Sequence, residues 1–174
     1  MSEPQVGATQ AWPDLSGRII EDTLASSGLA RGIGRRHVLP VRVYFEDTDF
    51  SGIVYHATYL RWCERGRSDF LRLVGIRHED LIAGGDGREA AAFVVRRMRL
   101  DYLAPARIDD VLEVETQVKE LGAATLDLDQ TVAKAGRVLF KASVLAVLVS
   151  QSGKVMRLGP LLRGAFGVPG GTKP

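Results

Sequence analysis

The sequence has few of the residues that build covalent or metal-bound frameworks. Its 174 residues include one cysteine, Cys63, and three histidines, so an internal disulfide is excluded and no Cys/His spacing is typical of a zinc site. The longest apolar run, residues 144–149, is far too short to cross a bilayer. The N-terminus lacks the basic segment and apolar stretch of an export signal. We therefore expect a cytoplasmic protein with no transmembrane segment and no bound metal.

The sequence also lacks an excess of charge of one sign. Lys and Arg number 23 against 21 Asp and Glu, and a net charge of +2 is too small to indicate nucleic-acid binding. Hydrophobic residues make up 45% of the chain and charged residues 25%, as in soluble globular proteins. At this length we expect one domain with a single buried core.

Composition divides the chain into three segments. Residues 1–36 are rich in Pro, Gly, Ser, Ala and Thr and predict a flexible N-terminal extension. A short helix over residues 15–25, capped by Asp14, is compatible with the pattern there and would suit a docking or membrane-surface segment. Residues 37–166 predict one domain, and residues 167–174 predict a C-terminal tail.

Regular patterns begin at Val38. A strand is predicted from there to about Glu46, and a helix over residues 56–74. The helix has one stripe of residues at steps of four and three, which we expect to be buried: Tyr59, Cys63, Gly66, Phe70 and Leu73. Gly66 in this stripe predicts that the helix closely approaches a sheet, and Gly75 predicts where the helix ends. Residues 78–82 predict a short second helix.

Four further strands are predicted in residues 91–103, 111–119, 125–133 and 138–149. Apolar and polar side chains alternate along each, except that the end of the last strand is apolar on both faces. The short connections indicate an antiparallel meander. Since a sheet with one apolar face needs a cover, we predict an α+β fold in which a five- or six-stranded antiparallel sheet curls around one long central helix.

Residues 47–56, which we call the acid turn, join the first predicted strand to the long helix. Asp49 lies at the strand end, Gly52 allows a turn, and the helix begins a few residues later. A carboxylate can attack or deprotonate, and helix N-terminal N–H groups can hold a developing negative charge. The pattern indicates an acyl-transfer site. Asp47 with His56 would also suit a divalent metal, but no third ligand is suitably spaced, so we expect Asp47 to order the loop.

The acid turn and its flanks resemble a known family. The sequence VRVYFEDTDFSGIVYHATYL, residues 41–60, is similar to the opening of the hot-dog-fold acyl-CoA thioesterases, specifically the 4-hydroxybenzoyl-CoA thioesterase-like group and its Tol–Pal-associated YbgC type. The likeness continues through residues 61–67 and 101–106 and covers about residues 37–160. It implies a hot-dog fold, edge-to-edge pairing of two subunits, and active sites at the subunit interface.

The resemblance also implies site residues. Asp49 takes the place of the family's catalytic aspartate, and the backbone N–H at or beside His56 that of the donor to the thioester carbonyl. Gly52, Ile53 and Tyr55 become candidates for substrate binding. The implied substrate is an acyl-CoA, with acyl-carrier protein as an alternative carrier, no bound cofactor, and a homodimer or homotetramer as the assembly. Phe50 departs from the family's small residue or proline, which puts the size of the acyl pocket in question.

Several candidate residues keep two interpretations. The His56 side chain can steer water or protonate the leaving thiolate, or contribute only its backbone. Glu64 lies two helical turns beyond His56 and can face the same cleft, although an ion pair with a neighbouring arginine is the alternative. The cluster Arg96, Arg97 and Arg99 can bind the phosphates of coenzyme A or form a solvated strand face; Arg107 and Arg35-Arg36 are vaguer candidates.

Two other functions remain as alternatives to thioester hydrolysis. A hot-dog dehydratase acting on hydroxyacyl thioesters would use His56 and Glu64 as proton-transfer groups. A non-catalytic protein that binds an acyl carrier or an envelope partner would need neither. The intact Asp49 and Gly52 of the acid turn favour the hydrolase.

Overall fold

The computed structural model describes residues 14–21, 35–84 and 89–166. A long helix, α1, lies against the inner face of a curved six-stranded sheet, and two short helices flank it. The strands are β1 (Arg18–Glu21), β2 (Arg35–Arg42), β3 (Ala91–Tyr102), β4 (Val111–Leu121), β5 (Thr125–Lys134) and β6 (Arg137–Ser150), and the helices are α1 (His56–Leu73), α2 (His78–Ala83) and α3 (Pro160–Ala165). The α+β class and the central helix are as predicted.

The strand order corrects the predicted meander. All pairs are antiparallel, but the order is β1-β2-β4-β5-β6-β3, so β3 pairs with β6 and β4 pairs with β2. Residues 103–110 are therefore a crossing from the edge strand β3 to β4 inside the sheet, rather than a hairpin. The crossing is held by backbone hydrogen bonds, from Val43 N–H to Asp110 O (2.9 Å) and from Val54 N–H to Ala106 O (2.9 Å). It consequently packs against the acid turn.

The first predicted strand is too long. β2 ends at Arg42, and Phe45–Asp47 form a 3-10 turn. The Asp47 carboxylate accepts a hydrogen bond from the Tyr44 N–H at 2.9 Å, so a side chain takes the place of a ladder partner. The expectation that Asp47 orders the loop is confirmed.

Helix α1 has the predicted length and buried stripe. Tyr59, Cys63, Gly66 and Phe70 are buried, but Leu73, in the last turn, is 48% exposed. A Cβ on Gly66 would lie 3.1 Å from Thr116 Oγ1, so the predicted close approach to the sheet is present. Gly75 follows the helix with φ of +84°, which favours glycine.

The N-terminal helix is not formed in its described part. Residues 18–21 are strand β1, paired with β2, and Asp14 accepts the Ser16 N–H at 2.9 Å in a local turn. The chain passes so closely over Asp69 and His37 at Gly17 that a Cβ there would overlap the Asp69 carboxylate. Extended chain fits this gap better than a helix with side chains.

Some expectations lie outside the described residues. Residues 22–25 of the predicted N-terminal helix, most of the loop after Gly84 and the tail from residue 167 belong to this group. The three-segment division stays a prediction. Helix α3 was not foreseen. Among the described residues, no helix is long and apolar enough to cross a membrane.

Candidate active site

The acid turn is a tight backbone loop. The Asp49 N–H donates to Ile53 O (2.9 Å) and the Gly52 N–H donates to Asp49 O (3.0 Å). Gly52 has φ of +73°, a left-handed conformation that a side chain would strain. Thr48 and Val54 form an isolated bridge across the base of the loop. These bonds hold the predicted site residues Asp49, Gly52 and Ile53 together.

The Asp49 carboxylate is oriented by Ser51. Oδ1 accepts the Ser51 N–H at 2.8 Å and also a short hydrogen bond from the Ser51 hydroxyl. The Ser51 hydroxyl, then its N–H, lower the pKa of Asp49, and the charge of His56 lowers it slightly further. The carboxylate is therefore ionised at neutral pH. Oδ2 has no hydrogen-bond partner within the described segments, so its lone pairs are unused there.

The start of helix α1 provides backbone donors beside this carboxylate. The Tyr55 N–H donates to Asp47 O, and the Thr58 N–H donates to Tyr55 O, both at 2.9 Å. The intervening His56 and Ala57 N–H groups have no acceptor within the described segments, as expected in a first helical turn. Such groups, with the helix dipole, attract negative charge.

Two tyrosines surround His56. The His56 ring lies 4.4 Å from the Tyr55 ring and 6.5 Å from the Tyr102 ring, measured between centroids. The Tyr102 hydroxyl donates to the His56 carbonyl at 3.1 Å. This contact ties the helix start to strand β3. Nothing in the spacing of Tyr102 along its strand could reveal a partner 46 positions earlier.

Glu64 lies away from the acid turn, on the rim of a cavity between α1 and the sheet. Its Oε1 accepts the Ser68 hydroxyl at 2.7 Å, and the Ser68 Oγ lies 3.2 Å from His78 Nε2. The expected ion pair with an arginine is absent from the described segments. Ser68 and His78 were not singled out from the sequence, although Ser68 follows Glu64 by one helical turn.

The cavity has a volume of about 140 Å³. Its walls are mainly apolar, and Phe93 and Val95 of β3 form the side nearest the sheet edge. None of Asp49, Tyr55 or His56 lines it. Eight residues separate Glu64 from His56 on one helix, which corresponds to ~12 Å along its axis. In one chain, the acid turn and the cavity are thus separate features.

The three arginines of the β3 cluster lie on the edge strand. Arg97 and Arg99 pair in register with Leu145 and Ser143 of β6, and Arg96 stands at a register shift without a Cα partner. All three side chains are exposed and form no ion pair within the described segments. Their positions leave phosphate binding as a prediction.

Cys63 lies in the core, away from the acid turn. Burial raises the pKa of the Cys63 thiol to about 12, so it stays protonated in the core. In the part of the chain that the structure describes, no three His, Cys, Asp or Glu side chains converge as metal ligands.

Comparisons with family models, curated proteins and solved structures all match this chain to thioesterases. The model of the Thioesterase superfamily matches residues 51–141, more than half of the chain. The match begins two residues after Asp49 and therefore does not itself include that residue.

Individual relatives agree with this match. The chain is 43% identical over 111 residues to the acyl-CoA thioester hydrolase YbgC of Escherichia coli O6:H1, covering 63% of this chain and 79% of that one. It is 41% identical over 110 residues to the acyl-CoA thioesterase YbgC of Haemophilus influenzae, covering 63% and 78%. A probable thioesterase from Bartonella henselae superposes with a TM-score of 0.68 at 41% identity, covering 71% of this chain and 99% of that one.

Proposed function

The chain belongs to the thioesterase superfamily, and from this premise we propose that it hydrolyses acyl-CoA thioesters to a free acid and coenzyme A. The observation that carries the proposal is the pairing of an ionised Asp49, with one oxygen unbonded, and two unoccupied helix N-terminal N–H groups in one turn. The relatives named for acyl-CoA hydrolysis support the choice of substrate.

Asp49 supplies the reactive oxygen. Its Oδ2 attacks the thioester carbon, giving a mixed anhydride that water then cleaves, or it removes a proton from a water that attacks instead. Both routes form a tetrahedral oxyanion. The lowered pKa of Asp49 keeps the carboxylate charged at neutral pH, as both routes require.

The helix start stabilises the oxyanion. The His56 N–H donates to the thioester oxygen, and the positive end of the α1 dipole adds to its effect. The His56 imidazole, held beside Tyr55, is placed to protonate the departing thiolate. Gly52 and Ile53 line the approach. These groups suffice for hydrolysis, so we propose no metal or other cofactor.

Two chains complete each site. Among the described strands β3 lies at the end of the sheet and pairs with β6 alone, and its Val94 and Val95 are 43% and 47% exposed. An exposed twelve-residue edge is a template for pairing with a second copy. Antiparallel pairing about the centre of β3 sets Phe93 of one subunit two residues from the position opposite the partner subunit's Tyr102, and so near the partner's acid turn. The acyl group then enters the cavity of one subunit while the other supplies Asp49.

The arginines of β3 receive the phosphates of the carrier. Arg96, Arg97 and Arg99 lie near this pairing edge with no carboxylate partner among the described residues, and guanidinium groups bind phosphate through paired N–H groups. Coenzyme A has three phosphates and a carrier-protein pantetheine has one. Loss of the arginines should therefore raise KM more for an acyl-CoA than for an acyl-carrier protein.

Thiol release from a panel of acyl-CoAs tests the proposal. We expect the wild type to release coenzyme A and Asp49→Asn to lose at least about a hundredfold in kcat, as acid–base groups contribute that much. Asp109→Asn is the matched control, because Asp109 is exposed and its φ of +65° suits asparagine. It should behave as the wild type.

Other outcomes identify the alternatives. Equal rates for the wild type and Asp49→Asn would refute the role of Asp49. Hydration of enoyl thioesters without thiol release would indicate a dehydratase, and tight acyl binding without turnover would indicate a binding protein.

A further inference from the structure

One charged side chain in the cavity wall has no counter-ion in contact. Arg67 is partly buried, and burial lowers its pKa. It makes no ion pair within the described segments; its one hydrogen bond runs from Nη1 to Gln130 Oε1 at 2.7 Å. Glu64, the nearest acidic group that affects it, is exposed and accepts the Ser68 hydroxyl. A guanidinium has five donors, so most remain for a ligand.

Neighbouring groups make this wall a donor surface. Gln130 is 1% exposed and fully used: its Nε2 donates to Cys63 O (2.9 Å) and to Thr116 Oγ1 (2.8 Å), while Oε1 accepts from Arg67. Thr116 lines the cavity, and its hydroxyl still has a proton to donate. Both Nε2 protons of Gln130 are used, so the donors left on this wall belong to Arg67 and Thr116. An oxygen acceptor on a ligand would therefore satisfy Arg67 and Thr116.

The donor wall lies opposite the proposed entrance. Gln130 is on β5, two strands inward from the edge strand β3. Thr116 is on β4, three strands inward from it. At a strand spacing of ~4.8 Å, Thr116 is ~14 Å from that edge. Between them, apolar side chains such as Leu128 and Ala146 line a space of about 140 Å³. An apolar cavity of ~150 Å³ holds one benzene ring, hence about six carbons.

We propose that Arg67 is a specificity-determining residue, which selects acyl groups with an oxygen acceptor, above all a carboxylate, at the end farthest from the thioester. The apolar part of the acyl group fills the cavity, and its far oxygen accepts from Arg67 and Thr116. This inference rests on the proposed function, because it requires the acyl group of the substrate to occupy this cavity.

Three thioesters of equal chain length test it: hexanoyl-CoA, 6-hydroxyhexanoyl-CoA and adipoyl-CoA. A charge-assisted hydrogen bond predicts that kcat/KM rises from hexanoyl-CoA to adipoyl-CoA by about tenfold to a hundredfold, through KM, with the hydroxy compound between them. Arg67→Met should remove or reverse this preference, measured as the ratio of kcat/KM for adipoyl-CoA to kcat/KM for hexanoyl-CoA. Arg65→Met, an exposed neighbour on the same helix, should keep it.

Each other outcome has a defined meaning. Thiol release without preference for adipoyl-CoA in the wild type overturns the inference and leaves the proposed function intact, whatever the folding of the variants. An unchanged preference in Arg67→Met, or an equal loss in Arg65→Met, also overturns it. No thiol release from any of the three, or from shorter and longer acyl-CoAs, refutes the proposed function itself.

Discussion

At the scale of the residue, the Ser51 hydroxyl affects the pH at which Asp49 gains a proton. It is the largest cause of the lowered Asp49 pKa, and the Ser51 N–H is the second. Ser51→Ala removes the first and keeps the second, so the Asp49 pKa should rise towards its usual value. The acid limb of the kcat/KM profile, where Asp49 becomes protonated, should move to higher pH. At neutral pH the loss should stay below about tenfold, since one hydrogen bond is lost.

A pH–rate profile checks this expectation. Ser51→Thr keeps the hydroxyl and should retain the wild-type acid limb. An acid limb in Ser51→Ala that coincides with the wild type, or lies at lower pH, would show that another group controls the rate.

The positions of the candidate site residues were predictable where they are close in sequence. Asp49, Gly52 and His56 lie within eight positions, and turn chemistry followed by a helix start indicates how they meet. Tyr102 and Arg67 act through His56 and Gln130, which are 46 and 63 positions away. Such contacts depend on strand register, which one sequence does not contain.

At the scale of the element, helix α1 is positioned by Gly66. A Cβ there would lie 3.1 Å from Thr116 Oγ1 and 3.3 Å from Val114 Cγ1, so larger atoms must displace the sheet. Overpacking costs about 3 kcal/mol at its upper end, against about 1 kcal/mol that leucine gains over glycine in helix propensity. Gly66→Leu should therefore lower the free energy of unfolding by about 2 kcal/mol.

Urea denaturation measures the change. Arg61→Leu, exposed on the same helix, is the control and should alter stability by less than about 0.5 kcal/mol. A Gly66→Leu variant as stable as the wild type would mean that the helix does not sit this close to β4.

Helices and strands were predictable where the spacing of apolar residues repeats over many positions. The α1 stripe and the alternating strands β4 and β5 gave their type and nearly their bounds. The pattern failed at the 3-10 turn, because Tyr44-Phe45 looks like strand while Asp47 competes for its backbone. It failed again at β1, which forms by pairing with β2. A local side-chain hydrogen bond overrides strand propensity in the first place, and strand pairing overrides helix propensity in the second.

At the scale of the whole molecule, the strand order determines which strand lies at the edge of the sheet and is available to pair with a second chain. A true meander would have placed β3 beside β4, inside the sheet; the crossing of residues 103–110 instead leaves β3 at an edge. The sequence could not reveal this, since short connections look the same in both arrangements. The dimer that we propose accounts for both the exposed edge and the separation of Asp49 from the cavity.

A proline on this edge tests the proposed dimer. Arg96 has no Cα partner on β6, so Arg96→Pro should block pairing across the free edge at little cost to the β3–β6 ladder. We expect the wild type to sediment as a dimer or a larger even-numbered assembly, and Arg96→Pro to sediment as a monomer with little thioesterase activity. Arg96→Ala removes the same charge but keeps the N–H, and it should remain assembled. A fully active monomer would show that one chain contains the whole site.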